Sequence, residues 1–202
     1  RSADPGRDTL RNTPTLLDVA VMPVLHMDGE FSSLQEQTEE TFVGRNMGWL
    51  PDERDEALAF IRAIVDDARD DESYADAMAR VFGVDAAGMS DEECLKLLAK
   101  AVVAFMETLR SERDTPYDAF VELNGLDDAP DEGESASAFG SGMVAAIEGK
   151  SADGSLALPD GFSEAAVEGV TIFFRTLGDA RVGNCVTCHA PPLFTDFAVH
   201  NT

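Results

Sequence analysis

Ser90-Asp-Glu-Glu-Cys-Leu-Lys-Leu-Leu-Ala-Lys-Ala-Val-Val-Ala-Phe-Met-Glu-Thr-Leu109 reads as a helix from its first residue. Ser90 and Glu93 form a capping box, in which each side chain satisfies a backbone N–H that the first turn leaves unpaired. Leu95, Leu98, Val102, Met106 and Leu109 then recur at helical spacing and make one apolar stripe. Cys94 falls among these residues and is expected to be a small buried hydrophobe. Upstream, Ala57, Leu58, Ile61, Ile64 and Val65 predict a second helix, for which Pro51 suits the start. Tyr74, Met78, Val81 and Phe82 predict a shorter one ending at Gly83, and residues 32–41 a short polar one. The rest of the first 50 residues is irregular, with a turn signal at Asp28-Gly29. Downstream, Thr115-Pro-Tyr-Asp-Ala-Phe120 is a turn leading into a short helix, and residues 124–135 are an acidic loop rich in Gly and Pro. Residues 137–148 predict a weak helix, because it holds two glycines, followed by a loop over 149–161. Phe162, Ala166, Val170, Phe173 and Leu177 form the last stripe, ending at Gly178. With no internal repeat and no strong strand pattern, the fold class is mostly α. Residues 1–50 are expected to link and to pack near the functional site. Residues 51–202 form a helical region that leads into a C-terminal unit incomplete at Thr202.

The chain carries 39 acidic residues against 15 basic, a net charge of −24, and 44% of its residues are hydrophobic. A surface of this sign repels phosphate backbones and anionic lipid, which excludes nucleic acid as a partner. It favours solubility and, among partners, a basic one. No apolar run approaches the roughly 20 residues of a membrane span. The chain opens at Arg1 without Met and stops just past a motif, so it reads as a segment of a longer protein.

That motif is Cys185-Val-Thr-Cys-His189, the signature of covalent haem c attachment. Two thiols separated by two residues reach the two vinyl groups on one porphyrin edge. The histidine that follows is carried beneath the ring as the iron's proximal ligand. Half a zinc site is the first rival, but the chain has only three cysteines and its other histidines are remote. A redox dithiol is the second, yet such a motif usually opens a helix after a strand, whereas here it follows a helix.

The flanking residues add a resemblance. Gly183-Asn-Cys-Val-Thr-Cys-His-Ala-Pro-Pro-Leu-Phe-Thr-Asp-Phe-Ala-Val-His-Asn-Thr202 closely resembles the second haem segment of the bacterial di-haem cytochrome c peroxidases. Arg11-Asn-Thr-Pro-Thr-Leu-Leu17, Asp28-Gly29, Ser33-Leu-Gln-Glu-Gln37 and Thr115-Pro-Tyr-Asp-Ala-Phe120 resemble other elements of that family in the expected order. The resemblance implies cytochrome c-like helical domains, haem c at Cys185, Cys188 and His189, and a further haem c outside this segment. It also implies a periplasmic or extracellular location, a small redox protein as electron donor, and an inter-domain calcium ion for which Asn12 matches the family's side-chain ligand. His26 and His200 are additional candidates for contact with haem. As ligands of the same iron, His200 and His189 stand too close in sequence, so a propionate or backbone hydrogen bond suits His200 better.

The sequence also departs from the family pattern. Met27 stands where the family usually has Trp, and Glu30 where it usually has Arg. Asn46 stands where many peroxidases carry a Glu that helps cleave the peroxide O–O bond, and an amide cannot act as an acid–base at neutral pH. Two functions are therefore expected to compete. One is a peroxidase-like oxidoreductase that transfers electrons through haem and reduces peroxide. The other is an electron-transfer multihaem cytochrome or conductive assembly subunit without that activity.

Overall fold

A computed structural model describes residues 14–26, 28–69 and 72–198, in two compact units that divide between Ser111 and Glu112. The described residues form seven α-helices and one two-stranded antiparallel ladder. The first unit contains α1 (Leu34–Val43), α2 (Arg54–Asp66), β1 (Ala68–Arg69), β2 (Glu72–Ser73), α3 (Tyr74–Phe82) and α4 (Asp91–Met106). The second contains α5 (Pro116–Asn124), α6 (Ala136–Asp153) and α7 (Glu164–Phe174). The mostly helical class expected from the apolar stripes is what the chain adopts.

Helix starts follow local chemistry. Ser73 with Asp76, Ser90 with Glu93, and Thr115 with Asp118 close reciprocal capping boxes, while Ser33, Ser135 and Ser163 cap α1, α6 and α7 singly. Pro51 does not start α2, which begins three residues later at Arg54; Glu53 turns back to accept from the Leu50 N–H at 2.7 Å, so residues 50–53 form a turn. Gly83 ends α3 in the left-handed region that only glycine adopts without strain.

The core of the first unit joins Ala57, Leu58, Ile61 and Val65 of α2 to Met78 of α3 and to Cys94 and Leu95 of α4. Cys94 is buried, as its apolar setting in the sequence implies, and burial pushes its thiol pKa up. Arg62 crosses from α2 to the turn before α4. Its guanidinium donates to Asp91 at 2.9 Å and to the Ala86 and Met89 carbonyls at 2.8 and 2.6 Å. Those two carbonyls sit in the connection between α3 and α4, so one side chain fixes how α4 enters the core.

The second unit is built on phenylalanine. Phe120, Phe139, Met143, Ile147, Phe162 and Phe174 form its core, and Phe120 stacks on Phe162 at 4.5 Å. Full burial of each such side chain contributes about 1.5–3 kcal/mol. The weak helix expected over 137–148 is instead the longest of the described residues, running 18 residues to Asp153 and taking in what the sequence suggested was loop. Its glycines lower intrinsic propensity, but tertiary packing of Phe139, Met143 and Ile147 outweighs that. The last helix, in turn, stops at Phe174, and Leu177 lies beyond it, 82% exposed. Asn124, buried at the end of α5, donates to the Phe120 and Ala157 carbonyls, both at 2.8 Å, and accepts from the Ala157 N–H at 2.9 Å. It thereby pins the loop after α6 to α5.

Candidate haem centre

The Cys185–Thr187 segment is one turn of 3-10 helix, packed against α6 and α7. Two close approaches put it there. Gly183 donates its N–H to the Ile172 carbonyl at 2.8 Å, and a Cβ at residue 183 would stand 2.6 Å from that oxygen. On α6, a Cβ at Gly140 would stand 2.5 Å from the Phe174 carbonyl and 2.9 Å from a Val186 methyl carbon. Glycine at these two positions is what lets the turn and α6 close on the end of α7.

Val186 is the anchor. It is fully buried in the phenylalanine core, and it lies between the two cysteines of the pair. Cys185 and Cys188 on either side of it are half-buried and in no disulfide, and the Cys185 thiol donates to the Gly183 carbonyl at 3.4 Å. Asn184, in the left-handed region, reverses the chain before the turn, and the Thr187 hydroxyl donates back to the Asn184 carbonyl at 2.8 Å. The N–H groups of Cys188 and His189 both donate to the Cys185 carbonyl, at 3.2 and 2.8 Å.

His189 is exposed, with its Nδ1 2.9 Å from the Phe194 carbonyl oxygen. A carbonyl only accepts, so Nδ1 carries the proton and Nε2 keeps its lone pair for a metal. The loop that supplies this carbonyl is tied back in turn. The Thr195 N–H donates to the Ala190 carbonyl at 3.1 Å and the Asp196 N–H to the Cys188 carbonyl at 2.9 Å. Two thiols and an oriented imidazole thus come from one pentapeptide and a closing loop of seven residues.

Two buried polar atoms flank this arrangement without a hydrogen-bond partner: the Tyr117 hydroxyl and Asn184 Oδ1. Tyr117 lies in the first turn of α5, its ring edge-on to Phe194 at 5.5 Å, and Phe194 meets Phe173 of α7 the same way at 5.8 Å. Burial, reinforced by the negative charges of Asp118 and Asp128 and opposed by Arg113, pushes the Tyr117 pKa up to about 12. The phenol is therefore a neutral O–H donor at any ordinary pH.

The first unit contains a separate feature, a cleft of about 680 Å³ whose lining is almost wholly apolar. Six aromatic rings line it, those of Phe42, Trp49, Phe60, Tyr74, Phe82 and Phe105, with Met47 and Met78. Its size falls in the range of cofactor sites, about 300–1,000 Å³.

A family model for di-haem cytochrome c peroxidase matches residues 2–125, which is 124 of the 202 residues. The chain belongs to the di-haem cytochrome c peroxidase family. No curated protein and no solved structure matches it. In this family member the aromatic cleft lies wholly inside the matched span, and the Cys185–His189 turn lies beyond it. Membership implies haem redox chemistry of a peroxidase-like oxidoreductase, with haem c as the prosthetic group.

The residues of the turn fit that group. Free paired thiols, a histidine with its metal-binding nitrogen unencumbered, and orphaned polar atoms beside them are what a tethered tetrapyrrole would complete. The other candidates are placed differently. His26 belongs to the first unit and adopts a left-handed backbone. Its Nδ1 lies 3.2 Å from a Glu30 carboxylate oxygen, its Nε2 3.1 Å from the Gln37 amide nitrogen, and its ring edge-on to Phe31 at 4.9 Å. His26, Asp28 and Glu30 bring three potential metal-ligand atoms within 4.8 Å of one another, two of the residues exposed. Asn46 is exposed, in the short 3-10 turn that also carries Met47 of the cleft. Met78 and Met106 are core residues, as their stripes suggest. Asn12, Met27 and His200 lie outside the described residues.

Sequence reasoning missed the Tyr117 hydroxyl and the Phe194 carbonyl. A phenol at the second position of a capped helix carries no pattern of its own, and a backbone acceptor leaves no trace in residue identity.

Proposed function

We propose that this protein is an electron-transferring haem c protein of the peroxidase-like kind, with haem bound by thioether bonds to Cys185 and Cys188 and with His189 as proximal ligand. The observation that carries the reading is the His189 imidazole, oriented by the Phe194 carbonyl so that Nε2 is left as the donor, on the turn that bears both free thiols. Bound haem supplies a one-electron iron couple whose potential is set by its ligands and their hydrogen bonds. The chain's own part is to hold the thiols at one edge, to fix the imidazole's tautomer and plane, and to exclude water from the inner side of the turn with Phe174 and Val186.

The aromatic cleft of the first unit is proposed to cover a face of the family's other haem, on the strength of its volume, its apolar lining and its place in the matched span. The electron donor is a small redox protein with a basic face, opposite the net charge of −24. No helix among the described residues is long and apolar enough to cross a membrane. Covalent haem attachment and the family relationship favour the periplasm as the location. Calcium at Asn12 is a further proposal that rests on the resemblance alone.

Electron transfer without efficient peroxide turnover is the reading favoured at the active-site level, because Asn46 offers no titrating group where many relatives carry a carboxylate. Pyridine haemochrome spectroscopy of the purified protein tests the haem. A c-type spectrum that survives acid–acetone extraction is expected, and Cys185→Ala with Cys188→Ala should lower the covalent haem content by one per chain. A colourless protein, or zinc held at the thiols, would overturn the proposal. Steady-state turnover of hydrogen peroxide with a reduced cytochrome donor separates the peroxidase from the relay.

A further inference from the structure

The hydroxyl of Tyr117 has no assigned role. It is a buried donor without an acceptor, and leaving such a group unpaired costs about 1–3 kcal/mol. Native proteins carry few such groups, and an unpaired one marks a place where a partner belongs. The hydroxyl cannot supply the missing partner by ionising, because burial and the nearby Asp118 and Asp128 both oppose the phenolate. For the same reason it is ill suited to ligate a metal as an anion. What it can do is donate one hydrogen bond.

Its surroundings say to what. Tyr117 packs on the phenylalanine cluster that buries Val186, the residue between the two thiols. Its ring also meets Phe194, whose carbonyl orients His189. The donor therefore stands in the wall of the proposed haem site. Haem tethered through its vinyl edge presents, on its periphery, only two groups that accept strong hydrogen bonds, the propionate carboxylates.

We propose that the Tyr117 hydroxyl donates a hydrogen bond to a haem propionate and so acts as a positioning residue that tunes the haem's reduction potential. The inference rests on haem occupying the Cys185–Cys188–His189 site. The bond draws negative charge away from the porphyrin, so it favours the reduced iron. Nothing in the ring packing depends on the hydroxyl, and Tyr117→Phe therefore isolates it while keeping the edge contact with Phe194.

The test compares the holoproteins of wild type and Tyr117→Phe by mediated potentiometric titration and resonance Raman spectroscopy. At a poise held at the wild-type midpoint, the variant's ferric-to-ferrous ratio should rise about threefold, or ~28 mV at 59 mV per tenfold for one electron. The propionate-bending bands should shift as well. An unchanged ratio with unmoved bands overturns the inference while leaving the haem assignment intact, as does a holoprotein made more stable by the substitution. A wild-type protein without a Soret band overturns both.

Discussion

Substituting the glycines of α6 one at a time provides a sharp test of how the thiol-bearing turn is held. Gly140, Gly142 and Gly149 all lie within Ala136–Asp153, and in a helix interior Ala is favoured over Gly by about 0.8–1 kcal/mol. A Cβ at Gly142 or Gly149 meets nothing within 4 Å, so Gly142→Ala and Gly149→Ala should each stabilise the protein by about that amount. At Gly140 the added carbon would lie 2.5 Å from the Phe174 carbonyl oxygen and 2.9 Å from the Val186 methyl. The first is backbone and the second belongs to a fully buried side chain, so neither yields cheaply. Overpacking costs about 1–3 kcal/mol, and with two contacts under 3 Å it falls in the upper part of that range, about 2–3 kcal/mol, so that after the propensity gain Gly140→Ala is net destabilising by about 1–2 kcal/mol. The sign should thus reverse within one helix. Urea unfolding of the three holoproteins, followed by far-UV circular dichroism and by Soret absorbance, measures it. Gly140→Ala should also loosen the Soret-reported transition first, because Val186 is displaced between the thiols. If Gly140→Ala proves as stabilising as the other two, the close packing of α6 on the turn is refuted.

Asn124→Ala removes two hydrogen bonds that join α5 to the Ala157 backbone and a third to the Phe120 carbonyl within α5, which should lower stability by about 1–3 kcal/mol in urea titrations. Asn46→Glu, an exposed change, should leave stability within about 0.5 kcal/mol yet raise peroxide turnover about a hundredfold if the missing carboxylate is what limits it; no rise would place the limit elsewhere. The carboxyls of Asp76 and Glu93 are held below their usual range by hydrogen bonds from Ser73 and Ser90. Because their folded pKa values are depressed, that stabilisation is present above the ordinary carboxylate pKa and is lost as pH falls through the lowered one. Ser73→Ala and Ser90→Ala should therefore narrow the gap between urea midpoints at pH 6 and pH 3; an unchanged gap would argue against it.

The helices were legible wherever a cap and a stripe agreed. Ser90 with Glu93 marked the start of α4, Gly83 the end of α3, and Ala57, Leu58, Ile61 and Val65 the buried face of α2. They were misread where a local signal competed with a distant contact. The glycines of α6 looked like weakness, but Gly140 is there for the approach of Phe174 and Val186, which lie more than thirty residues away. Leu177 continued a spacing that the chain had already abandoned at Arg175. Of the candidate haem centre, the thiols and His189 announce themselves by spacing. The groups that orient and enclose them, the Phe194 carbonyl and the Tyr117 ring, are selected by folding and carry no motif.

The bond from His189 to Phe194 also bears on what sort of iron this scaffold favours. Its acceptor is an uncharged amide oxygen, supplied by the same short loop. A carboxylate in that place would pull on the ring proton and lend the imidazole some of the character of an anion, strengthening its push on the metal. A neutral acceptor lends little. With haem bound there as proposed, the iron would keep its affinity for an added electron, which suits the proposed way-station on an electron's route better than a site built to break a bond.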